Sequence, residues 1–153
     1  MDFRFQEVME GVFTKRGERF DRPFRFDFAV DVPRAERAAW GVAIGRMSGK
    51  VWIDGVANGA EAQGTLELSP LRRRQLRYVF DFDADGQRHR FDGHKTLGLR
   101  HPLRAWTTLP GSLYGADGKE IGRAVLRFHL RRDLVDLVMS MRVARGGRRG
   151  RRD

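Results

Sequence analysis

The sequence predicts an all-β fold, an antiparallel up-and-down β-barrel of about eight strands with one or two short helices. Three observations predict it. Short apolar–polar alternations recur along the 153 residues, separated by turn-forming residues roughly every 8–15 positions. Eleven Phe are present, and the clearest alternations gather them on one side of an extended chain. Helical periodicity is confined to two short stretches, 33–39 and 132–141.

The elements follow in order. Phe3, Phe5, Val8, Val12 and Phe13 predict an opening strand with a bulge or bend near Gly11. The charged stretch 15–21, with Gly17, reads as a hairpin loop. Residues 23–32 hold the cleanest period-two pattern, with Phe24, Phe26, Phe28, Val30 and Val32 on one face. PRAERAA at 33–39 has helix formers after a proline and suits one or two helical turns over a barrel end. The glycines of 40–54 divide it into a connector and a strand, in which Val51 and Ile53 oppose Trp52. Small residues make 55–64 a loop, and 65–68 a short strand.

The central hairpin occupies 76–97. Leu76, Tyr78, Phe80 and Phe82 share one face, and Asp83-Ala84-Asp85-Gly86 supplies the turn. A connector follows at 96–102. A strand at 103–114 is interrupted at Pro110-Gly111, and a turn covers 115–119. The strand at 121–130 carries Ala124, Leu126, Phe128 and Leu130 on one face against Arg123, Arg127 and His129. RDLVDLVMSM at 132–141 suits a short helix. A single barrel domain thus spans 1–144. The tail 145–153, RGGRRGRRD, has no apolar residue to dock and reads as disordered.

Composition narrows the function classes. Without cysteine there is no disulfide, thiolate nucleophile or thiolate metal site. No apolar run approaches the ~20 residues of a membrane helix, and the start, MDFRFQEVMEG, lacks a signal-peptide pattern; a cytoplasmic location is the expectation. Net charge is +10, of which the tail contributes +4. Arg outnumbers Lys 26 to 4, a bias that points to codon usage more than to phosphate recognition.

The motifs resolve into bland chemistry. Asp81, Asp83, Asp85, Gly86 and Asp92 match the spacing of a calcium loop, but the flanks alternate as strands and Arg88 stands where an apolar residue is expected. A β-turn is the better reading. His89 and His94 lie near Asp92, yet no HxH or HExxH pair exists. No serine sits in a GxSxG elbow, and neither GxGxxG nor GxxxxGK[ST] occurs. No metal, cofactor or catalytic residue is assigned.

Several short motifs carry a family resemblance. They are Met9-Glu10-Gly11, Ser48-Gly49-Lys50-Val51 and 64–68 (GTLEL), then Arg77-Tyr78 with Phe80, Asp85-Gly86, Gly93-His94-Lys95 and Trp106-Thr107-Thr108-Leu109. Over roughly residues 5–143 their order resembles the accessory β-domain of bacterial cholesterol-oxidase-like GMC oxidoreductases. The resemblance implies a lipocalin-like barrel near sterol or lipid chemistry, here as a stand-alone chain. It carries over no catalysis, since the flavin fingerprint belongs to another domain.

The expected function is therefore non-catalytic. It is a barrel holding an apolar, sterol- or lipid-like ligand, or one assisting a lipid-active enzyme. The expected ligand-binding residues are Phe24, Phe26, Phe28, Trp52, Tyr78, Phe80, Phe82, Trp106 and Tyr114, with the Trp and Tyr side chains supplying a polar handle. This reading requires a hollow interior. One alternative is a nucleic-acid-binding protein using its basic surface and Arg-rich tail. Another is an enzyme with a barrel-mouth site at His89, Asp92 and His94.

Overall fold

In a computed structural model, residues 3–33, 43–69, 75–96 and 108–127 are described. They form a closed barrel of eight antiparallel strands, each hydrogen-bonded to its neighbours in sequence. The strands are β1 (Phe3–Lys15), β2 (Arg22–Val32), β3 (Ala43–Ile53), β4 (Ala57–Ser69), β5 (Gln75–Ala84), β6 (Gln87–Thr96), β7 (Thr108–Tyr114) and β8 (Glu120–Arg127). β8 returns to β1 and closes the sheet, with Glu10 opposite Arg127 and Lys15 opposite Gly122. Closure gives every strand two neighbours, although β1 meets β8 only over 10–15 and β6 meets β7 only over 90–93.

Alternation does what the sequence predicted in β2, β5 and β8. Phe24, Phe26, Phe28, Val30 and Val32 are buried, as are Leu76, Tyr78, Phe80 and Phe82, and Ala124 and Leu126. Arg123 and Arg127 face outward. The β5–β6 turn has both central residues at positive φ, Asp85 at 52° and Gly86 at 71°. That backbone twist matches the twist of the flanking strands.

Three local expectations differ from the structure. β1 pairs with β2 in unbroken register from Phe3 to Phe13, with no bulge at Gly11. Odd positions from Phe5 to Phe13 face inward, so Phe5, Glu7, Met9 and Phe13 are buried and Val12 is exposed. The residues read as a loop at 55–64 are mostly strand, because β4 starts at Ala57. β3 and β7 run straight through their glycines, and β7 through Pro110 as well. Pairing of β7 to β6 covers only Gly111–Tyr114, so the missing N–H of Pro110 falls outside that ladder.

The described residues contain no helix. The stretches expected to be helical, 33–39 (beyond Pro33) and 132–141, fall outside them, as do Trp106, Phe128, His129 and the tail 145–153. No helix among the described residues is long and apolar enough to cross a membrane.

Candidate functional site

The lumen has two halves of different character. At the end of the tight hairpins, rings from β2 meet rings from β5 and β6 across the barrel. Phe24 lies 5.4 Å from Phe91, Phe26 5.3 Å from Phe80, and Phe28 4.9 Å from Phe80. Phe80 stacks on Phe91 at 4.9 Å, and His89 caps Phe82 in a parallel stack at 5.2 Å. These contacts fill this half of the interior, so the hollow barrel expected from the sequence is absent there. The other half is mainly aliphatic, with Val30, Val32, Met47, Leu66, Leu68 and Leu76 all buried.

Between the halves lies a buried acid–phenol pair. The Tyr78 hydroxyl donates to Glu7 Oε2 at 2.8 Å. Glu7 is 5% exposed and Tyr78 is fully buried. β1 and β5 are four strands apart whichever way round the barrel is counted, so this bond spans the lumen. Desolvation, reinforced by the Glu7 charge and the hydrogen bond itself, holds the Tyr78 phenol well above its ordinary range. Tyr78 therefore serves as a hydrogen-bond donor, not as a base. Together the two groups offer an acceptor and a donor, the complement of a single alcohol hydroxyl.

The structure separates the other predicted residues. Phe24, Phe26, Phe28, Tyr78, Phe80 and Phe82 converge in the lumen. Trp52 does not: it is half-buried on the outer face, in a hollow of about 510 Å³, with the Arg25 guanidinium 5.5 Å from its ring. Tyr114 lines another outer hollow, of about 400 Å³, with Asp81, Arg88 and Arg90. Neither can act as a polar handle inside; Glu7 takes that place. Trp106 lies outside the described residues.

The residues proposed for metal or acid–base chemistry are engaged elsewhere. Arg90 and Arg88 bind Asp81, and the Arg90 hydrogen bond holds its carboxyl below the usual range. Arg77 binds Asp92 at 2.8 Å and 3.2 Å. Asp92 and His94 face outward while His89 packs on Phe82, so the three do not converge. Among the described residues no group of three His, Asp or Glu could hold a metal ion. A concavity of about 890 Å³ across β1–β4 is lined by the polar Arg4, Gln6, Arg46 and Gln63 together with the apolar Phe5, Val30 and Met47.

No family model, no curated protein and no solved structure matches this chain.

Proposed function

We propose that this chain is a non-catalytic, lipocalin-like binding or accessory module that recognises an apolar molecule bearing a hydroxyl group. Sterol- and lipid-like alcohols have that chemistry. The accessory version, service beside a lipid-active enzyme of GMC type, follows from the resemblance of the sequence. One observation carries the reading: the Glu7–Tyr78 pair bridges an otherwise apolar lumen. A ligand hydroxyl inserted into that bond would donate to Glu7 and accept from Tyr78. Its apolar body would have to displace the buried aliphatic side chains of the other half, such as Val30, Met47 and Leu66.

The test is native mass spectrometry of protein purified without detergent, followed by titration with a fluorescent sterol and a long-chain alcohol. Binding is expected to weaken about tenfold in Tyr78→Phe, the cost of one hydrogen bond. No copurified lipid and no binding of either probe would reject the reading.

A second reading, nucleic-acid binding, is favoured by where the charge lies. The described barrel holds fifteen Lys and Arg against fifteen Asp and Glu, so the whole net charge of +10 falls outside it. The connections 34–42, 70–74 and 97–107 all join strands at the end of the barrel from which β8 also departs. This reading predicts RNA retention at ~50 mM salt that falls by orders of magnitude at ~200 mM, with a shallower salt slope after removal of 145–153. Flow-through at low salt would dispose of it.

A further inference from the structure

The outer face of the barrel is built mainly from charged and polar cross-strand neighbours. Arg77 pairs with Asp92, Arg90 with Asp81, and Arg4 with Asp31. One row breaks the pattern. The register places Pro23 beside Val12, Val12 beside Val125, and Val125 beside Pro110. All four side chains are exposed, Val12 at 41% and Val125 at 43%. Exposed valines scattered singly need no explanation, but four apolar residues in register across four strands form a continuous stripe. The other exposed large apolar residues among those described are Phe20, covered by the Arg22 guanidinium at 4.7 Å, and Ile44, which stands beside Glu67 in the register.

The stripe reads Pro–Val–Val–Pro from either side. Its rim on one flank is Arg25, Glu10, Arg127 and Thr108, and on the other Thr14 and Arg123. We propose that this stripe is the contact face of a homodimer formed with a second copy of the chain. A two-fold axis running along the strands between Val12 and Val125 sets each Val12 against the other copy's Val125, and Pro23 against Pro110. The same operation brings Glu10 of each copy opposite Arg127 of the other, and Thr14 opposite Arg123. Glu10 has its carboxylate 3.6 Å from Arg25 and is 68% exposed, so it can meet a second arginine. In a closed barrel most strand edges are already paired, which favours face-on packing as the route to self-association. The outer face is convex, so the contact is narrow and the dimer weak and reversible.

Sedimentation velocity across roughly 1–500 µM tests this. The wild type is expected to rise from monomer mass toward twice that value. Val12→Lys with Val125→Lys is expected to stay monomeric. Glu10→Arg is expected to raise the dissociation constant at least tenfold, and Glu10→Arg with Arg127→Glu to return it to within about threefold of wild type. Circular dichroism of each variant checks that the barrel is intact. A wild type that stays monomeric throughout overturns the proposal and leaves the stripe to a different protein. A dimer indifferent to the lysines, or a charge swap that fails to restore association, overturns it equally.

Discussion

Tyr78→Ala is expected to cost the barrel about 3–5 kcal/mol, enough to consume much of a small domain's stability. Tyr78 is fully buried, and its truncation leaves both a void beside Phe26 and an undersolvated carboxylate at Glu7. Tyr78→Phe separates the two effects. It keeps the ring and removes only the donor, for an expected loss of about 1–3 kcal/mol. Urea midpoints at pH 7 give both numbers. The same pair imposes a pH dependence. The phenol pKa is higher in the folded state than in the unfolded chain. Its contribution is therefore complete below the unfolded value of about 10, and is lost as pH rises through the folded value. Between pH 9 and 12 the wild type should lose stability more steeply than Tyr78→Phe. Parallel slopes would show that the phenol is not protected in the fold.

Gly64→Val is expected to prevent folding, and Gly64→Ala to cost about 3 kcal/mol or more. A Cβ on Gly64 would lie 1.9 Å from the Val79 carbonyl oxygen and 2.6 Å from the Phe80 Cα. Backbone cannot swing aside as a side chain can, so β4 and β5 must part where they pair. Gly17→Ala is the control. Gly17 has φ of 86° but no neighbour within 4 Å, and its substitution should cost only about 1–2 kcal/mol. Thermal melts and the yield of soluble protein distinguish the two positions. Equal losses at both would mean that the close approach at Gly64 is not what fixes its identity.

That glycine also shows where the sequence was hard to read. The eight-stranded antiparallel closure followed from alternation in β2, β5 and β8, where large apolar residues make the period of two plain. The first half of β4 is Ala57–Gly64, and small residues give no hydrophobic signal. Their smallness is the signal: Ala62 sits opposite Phe82, and Gly64 opposite Phe80. The size of one partner dictates the size of the other, which a single strand cannot reveal. Glu7 was hidden for another reason. It shares the phase of Phe5 and Met9 with or without a bulge at Gly11, but an acid carries no apolar signal, and Val8 and Val12 mark the opposite face. The chemistry of Trp52 and Tyr114 alone suggests a polar handle in the lumen. Position decides instead: Trp52 sits opposite in phase to the buried Val51 and Ile53.

Seven of the eight strand pairings join neighbours in sequence; the eighth, β1 with β8, joins the two ends of the described barrel. Hairpins form within microseconds, whereas the closing pairing must gather more than a hundred residues of chain first. The β1–β8 seam is thus the last ladder to zip and the natural place for the barrel to open. Val12 and Val125 straddle that seam. A second copy seated on them would bridge both sides of the opening, so association would lengthen the lifetime of the closed barrel as well as its contacts.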